Sequence, residues 1–173
     1  MRLFFALELP GELAIQIADW RQRQLPALGR PVPPANFHIT LAFLGELGEK
    51  QLEQLCLATD ELVAQGRFEA GEIILDQVGY WPKPGIYWLG PKHWPDSLGQ
   101  LADTLARRGN ALGAKRKRGQ FRPHLTLFRG CQAPPPAAAE LGDFPLPYHG
   151  FTLLESRAGR NGVRYSPVAR WHF

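Results

Sequence analysis

Phe37-His38-Ile39-Thr40-Leu41-Ala42-Phe43-Leu44-Gly45 and Pro123-His124-Leu125-Thr126-Leu127-Phe128-Arg129-Gly130 are two versions of one pattern: His-x-Thr-Leu, further apolar residues or an arginine, then Gly. Side chains alternate faces along a strand, so residues two apart point the same way. His38 and Thr40 then share one face, with Ile39 and Leu41 on the other. His124 and Thr126 repeat this, backed by Leu125 and Leu127. Each segment offers an imidazole and a hydroxyl on one side and a hydrophobic anchor on the other. The copies lie half a chain length apart, each with a helical pattern nearby. That spacing predicts a degenerate internal duplication: two similar lobes facing across a cleft, one His-x-Thr strand from each.

Working outward, Arg2 to Leu9 reads as a buried strand, short, rich in Phe and Leu, and stopped by Pro10-Gly11. Gly11 to Leu25 reads as a helix on the recurrence of Leu13, Ile17 and Trp20, ended by Pro26. Residues 26–36 hold four prolines and form an ordered loop. Glu49 to Gln65 is a second amphipathic helix, with Leu52, Leu55, Thr59, Leu62 and Val63 inward and Gly66 as its stop. Phe68 to Val78 is expected as one strand. The turn Trp81-Pro82-Lys83-Pro84-Gly85 joins a hairpin that returns through Ile86 to Leu89. Pro95 to Leu112 is a third helix. The run Lys115-Arg116-Lys117-Arg118 reads as a basic loop leading into the second motif. Pro134 to Ala139 reads as a spacer. The tail, Phe151 to Phe173, reads as a hairpin turning across Arg157 to Gly162. Helices mixed with hairpins favour an α+β fold with antiparallel sheet. The expected architecture is one bilobal domain over 1–173: two pseudo-symmetric lobes of antiparallel sheet, helices packed outside, and the active-site cleft between them.

Composition narrows the setting. The 173 residues are 45% hydrophobic and 21% charged, ordinary for a soluble globular protein with a sizeable core. A net charge of +4 and a pI of about 9.3 permit a polyanionic partner without demanding one. Cys56 and Cys131 lack metal-ligand spacing and make no disulfide framework, so a reduced, cytoplasmic setting is expected. The apolar run at Leu3 to Leu7 is cut short by Glu8 and Pro10, too early for a signal peptide. No apolar run is long enough to span a membrane.

Two imidazoles on opposite walls of a cleft suit concerted acid–base work, because histidine titrates near pH ~6.5 and one ring can be neutral while the other is charged. Phosphodiester hydrolysis needs a base for water, an acid for the leaving alkoxide, and donors to the non-bridging oxygens. Thr40 and Thr126 are placed for that last role. Arg129, at the end of the second strand, can hold a phosphate. One His-x-Thr arises by chance; two with the same flanks are far more specific.

These paired motifs resemble the 2H phosphoesterase superfamily, and within it the RNA 2′,3′-cyclic phosphodiesterases, also called 2′-5′ RNA ligases. The resemblance spans nearly the whole chain: Arg2 to Pro10 resembles the family's opening strand, Phe37 to Gly45 and Arg122 to Arg129 its catalytic segments, and Glu155-Ser156 with Tyr165 and Trp171 its closing hairpin. It implies a substrate of RNA ending in a 2′,3′-cyclic phosphate, tRNA fragments included, opened at O3′ to leave a 2′-phosphomonoester. It implies that His38 is proton donor and His124 proton acceptor, without metal or cofactor. It also implies that some members join RNA ends through a 2′-5′ linkage. Neither a membrane nor an obligate protein partner is implied, and a monomer is expected.

Other features carry less. Phe37 and Arg122 flank the motifs and are expected as substrate contacts only by adjacency. His93, His149 and His172 lack a following Thr at the right spacing and read as ordinary surface or packing residues. Trp81, Tyr87 and Trp88 suit base stacking, although aromatics at hairpins more often pack. The Lys115–Arg118 run is as compatible with phosphate neutralisation as with a solvated loop. Two other readings remain. A metallo-hydrolase using His38 and His124 lacks a third ligand at ligand spacing near either motif. A non-catalytic RNA-end-binding protein on the same fold would not require both imidazoles.

Overall fold

The computed structural model describes residues 1–26, 29–115 and 119–173. Residues 27–28 of the first loop and 116–118 of the basic run lie outside the described residues. β1 (Arg2–Glu8) leads into α1 (Gly11–Gln24); β2 (Arg30–Pro31) and a 3-10 turn (Pro34–Asn36) then precede β3 (His38–Glu46). α2 (Glu49–Ala64), β4 (Gly71–Leu75), β5 (Gln77–Trp81), β6 (Ile86–Gly90) and α3 (Asp96–Ala111) follow. β7 (Leu125–Arg129), β8 (Phe144–Tyr148), β9 (Gly150–Gly159) and β10 (Gly162–His172) complete the chain. One sheet has the order β10-β9-β1-β3, a second β2-β7-β6-β5, and β4-β8 form a separate ribbon. The strands pair antiparallel throughout. The fold is therefore α+β, with two antiparallel lobes and the motif strands β3 and β7 approaching each other where the sheets meet.

The duplication is visible in the register. The units β1–α1–β3 and β6–α3–β7 correspond strand for strand: Leu7 faces Ile39 as Leu89 faces Leu125, and Ala6 faces Thr40 as Trp88 faces Thr126. Both motif strands then bulge at the same place. Phe5 pairs with Ala42 and Ala6 with Thr40, which leaves Leu41 unpaired; Tyr87 pairs with Phe128 and Trp88 with Thr126, which leaves Leu127 unpaired. A bulge sets two residues against one and shifts the alternation by one position. Leu41 and Ala42 accordingly both enter the main core, as do Leu127 and Phe128. Gly45 and Gly130, at φ +75° and +66°, occupy the left-handed region that a side chain disfavours, which accounts for the Gly closing each motif.

The main core gathers residues of both lobes, including Phe5 and Ile39 from the first and Leu89 and Leu125 from the second. Helix α3 packs on β3 so closely that a Cβ on Gly109 would stand 2.3 Å from Leu44. The first sheet carries a second apolar layer on its other face, where Phe4, Ala6 and Leu154 cluster with Tyr165. β1 is thus buried on both sides, which explains its continuous apolar run.

Three expectations change. The single strand foreseen over Phe68 to Val78 is two, β4 and β5, broken at Asp76, whose carboxylate accepts the Lys92 backbone N–H at 2.9 Å. They belong to different sheets, so one apolar stretch serves two partners. β8 was not foreseen, because Pro145 and Pro147 argue against a strand. Both prolines point outward while Leu146 and Tyr148 are buried, and β8 pairs only with β4, where missing N–H groups are tolerated. The tail hairpin turns at Arg160-Asn161, with pairing that reaches Gly159 and Gly162. The spacer after Pro134 is irregular and docks on α1 through the Trp20 Nε1–H, which donates to the Glu140 carbonyl at 3.0 Å. Among the described residues no helix is long and apolar enough to cross a membrane.

Candidate active site

β3 and β7 present their motif side chains toward the same cleft. Ile39 and Leu125 are each fully buried, so His38, Thr40, His124 and Thr126 turn to the opposite face, where all four are partly exposed. His38 Nδ1 lies 2.8 Å from the Asn36 carbonyl oxygen, and His124 Nδ1 lies 2.8 Å from the Arg122 carbonyl oxygen. A carbonyl only accepts, so in each ring Nδ1 carries the hydrogen and Nε2 is left for chemistry. The same bond, from the ring to the backbone two residues earlier, holds both imidazoles. His38 Nε2 also sits 3.0 Å from Thr40 Oγ1, which donates to it when the ring is neutral.

The environment of His38 holds it neutral. Its pKa falls from 6.5 to about 4, first because burial penalises the charged ring. The bond to Asn36 opposes this, while the positive charges of Arg129 and His124 push the same way as burial. His38, His124 and Arg129 thus act electrostatically on one another although they come from opposite halves of the sequence. Arg129 owes its place to the bulge: five residues beyond His124, strict alternation would turn it into the core, and the extra residue at Leu127 turns it to the cleft. Its counterpart in the first motif is Phe43, 46% exposed, with its ring 5.9 Å from Phe4.

Aromatic rings brace both imidazoles. His38 lies between Phe4 and Tyr165, at ring separations of 5.0 and 5.1 Å. His124 meets Trp81 at 4.6 Å and Trp88 at 6.5 Å, and the two indoles lie 5.2 Å apart. Trp88 is buried, its Nε1–H has no hydrogen-bond partner among the described residues, and its ring lies across Gly79, where a Cβ would come within 2.2 Å. A cavity of about 290 Å³ opens beside His38, walled by Leu9, Ala14, Leu154 and Tyr165. It borders His38 but not His124, so it flanks the place between the rings where a phosphate would sit.

His38, His124 and Arg129 lie near enough to act on one another electrostatically, Thr40 bonds to His38, and Thr126 lies two positions beyond His124 on β7, ahead of the bulge. Phe37 is buried, its ring 5.1 Å from the Arg21 guanidinium carbon, and it reaches the site only as a wall of the cavity. Arg122 is exposed and contributes its backbone carbonyl to His124. His149 and His172 neighbour one another, with rings 5.8 Å apart. In the sequence Tyr165 reads only as part of the closing hairpin and Phe4 only as part of the opening strand; no spacing rule links either to His38. Among the described residues, no three His, Cys, Asp or Glu side chains gather as metal ligands.

The family described as LigT-like phosphoesterase matches residues 7–88. The RNA 2′,3′-cyclic phosphodiesterase of Escherichia coli is 36% identical over 175 residues, covering 98% of this chain and 95% of that one. The protein of the same name from Thermus thermophilus is 31% identical, covering 99% of this chain and 89% of that one. The crystal structure of E. coli LigT complexed with 3′-AMP superposes with a TM-score of 0.86 at 36% identity, covering 99% of this chain and 97% of that one.

Proposed function

The chain belongs to the LigT-like phosphoesterase family, and from that premise we infer that it is an RNA 2′,3′-cyclic phosphodiesterase. It hydrolyses RNA 2′,3′-cyclic phosphate ends to 2′-phosphomonoesters by two-histidine acid–base catalysis, with no metal ion in the reaction. The observation that carries the reading is the pair of imidazoles, each tied through Nδ1 to the carbonyl two residues earlier and near enough for the charge of one to act on the other.

His124 Nε2 takes a proton from water as the water oxygen bonds to phosphorus. The bond from phosphorus to O3′ breaks, and His38 Nε2–H gives its proton to the departing oxygen. Proton exchange with solvent then restores both rings. Thr40, Thr126 and Arg129 hold the non-bridging oxygens, where charge is carried in the transition state. In the free protein His38 is neutral and Thr40 donates to it. An anionic phosphate placed beside Nε2 favours the charged ring, so His38 gains its catalytic proton together with the substrate, and the Thr40 hydroxyl turns to the phosphate. The assignment of His38 as donor and His124 as acceptor follows the family resemblance. The same displacement with a 5′-hydroxyl in place of water forms the O5′–P bond, breaks the bond to O3′ and gives a 2′-5′ linkage.

The test is turnover of a nucleoside 2′,3′-cyclic phosphate in excess chelator, with the product identified as the 2′-monoester. His38→Ala and His124→Ala should each lower kcat by ~10²–10⁴-fold, and the double variant should be little worse than either. Near-normal turnover by either single variant sinks the mechanism. Binding of the RNA end without turnover by the unaltered protein would leave the RNA-end-binding alternative.

A further inference from the structure

We propose that Arg21 is a positioning residue that holds the bulge of the second motif, and with it Arg129, in register with His38. The proposal rests on the phosphodiesterase reading above.

Arg21 closes the last turn of α1 and is only 8% exposed. Among the described residues no carboxylate forms a salt bridge with it. Its Nη1 donates instead to two backbone carbonyls, Val32 at 2.7 Å and Leu127 at 2.9 Å. Leu127 is the unpaired residue of the β7 bulge, and its oxygen also accepts the Val32 N–H at 2.9 Å. The guanidinium carbon lies 5.1 Å from the Phe37 ring and 5.4 Å from the Phe128 ring, within reach of a cation–π contact to each.

Each of these four partners adjoins the site. Phe37 precedes His38, Phe128 precedes Arg129, Leu127 follows Thr126, and Val32 follows the strand that pairs with Phe128 and Arg129. Burial opposes the charge on Arg21 and lowers its pKa. A buried cation lacking an acidic partner is an expensive way to stabilise a core, and an apolar residue of similar volume often does as well. What the guanidinium adds is geometry. It is flat enough to reach two rings and has donors to tie two carbonyls, one from each half of the duplication. The bulge is against β6; on the other edge of β7 the Leu127 oxygen accepts from Val32 in continuation of the β2–β7 register and from Arg21 as a second donor, which fixes the bulged residue from the β2 side. The bulge in turn decides that Arg129 faces the cleft.

Arg21→Met keeps much of the side-chain bulk without donors, and Arg21→Lys keeps the charge without the planar fork. Kinetics on a nucleoside 2′,3′-cyclic phosphate and inhibition by inorganic phosphate are measured well below each variant's own unfolding midpoint. Arg21→Met should raise KM and the phosphate inhibition constant by about 10-fold, with Arg21→Lys intermediate, because a misplacement of ~1 Å far from the chemistry is costly. Arg129→Ala should cost about 10-fold in the unaltered background and under about 3-fold in Arg21→Met, the non-additivity of two residues acting as one unit. Unchanged phosphate inhibition in Arg21→Met overturns the proposal. So does full multiplication of the two effects, which would mark Arg21 as core packing alone. Phosphate binding followed directly by calorimetry decides the proposal even if the cyclic nucleotide is not turned over, an outcome that instead strikes the proposed activity.

Discussion

At the scale of single residues, His38 shows how a fold adjusts a proton. Phe4 and Tyr165 crowd the ring and Arg129 and His124 add positive charge, so its pKa drops to about 4. In the unfolded chain histidine titrates near pH ~6.5. Between those values the unfolded chain binds a proton that the folded protein refuses, so stability falls as pH falls through that window. The contribution present at neutral pH and lost below pH ~4 is at most about 3 kcal/mol, and less for the ring's partial exposure. His38→Asn cannot titrate. Its stability, measured by urea unfolding at pH 7 and pH 4.5, should therefore decline less than that of the unaltered protein. Parallel declines would show that His38 is not held neutral by the fold.

At the scale of elements, legibility depended on how local the signal was. The His-x-Thr alternation is carried by adjacent residues, and Ile39, Leu41, Leu125 and Leu127 all proved buried. The helices were legible for the same reason, with Leu98, Leu101 and Leu105 on one face of α3. The bulges were not, because an extra residue is defined only against its partner strand, and β1 and β6 lie far off in sequence. Arg129 sits at an odd spacing from His124, and only the bulge, invisible in the sequence, brings its charge to bear on His38. β8 stayed hidden behind its prolines, and Tyr165 behind more than a hundred residues of intervening chain. The β5–β6 hairpin supports a prediction of its own. Gly79 pairs with Trp88 and leaves room for the indole that approaches His124. In Gly79→Ala the new Cβ would meet that ring at 2.2 Å, so Trp88 must move. Overpacking of this kind costs ~1–3 kcal/mol, a fall in Tm of roughly 3–10 °C, and kcat should fall with it. Unchanged Tm and kcat would mean that the indole has no part in placing His124.

At the scale of the whole molecule, each half of the sequence finishes the other's lobe. The C-terminal hairpin β9–β10 completes the sheet begun by β1 and β3, and β2 from the first half edges the sheet of β7, β6 and β5. Helix α3, from the second half, packs on β3 of the first, and one core cluster runs through both lobes. Neither lobe keeps its apolar face covered once the other opens, so unfolding should be a single cooperative event, as expected for a chain of this size with a shared core. The tryptophans allow the test. Trp81 and Trp88 report the lobe of His124, and Trp171 sits in the sheet of His38. Denaturant curves followed by indole fluorescence in the combined variant Trp20→Phe, Trp94→Phe and Trp171→Phe, which leaves only Trp81 and Trp88, should coincide with curves followed by far-UV circular dichroism. Leu125→Ala, in the second lobe, should shift both signals together by ~2–5 kcal/mol. Two separated transitions, or a shift confined to one signal, would mean that the lobes hold their structure independently. The alignment of His38 with His124 would then be a matter of lobe movement and not of a common core.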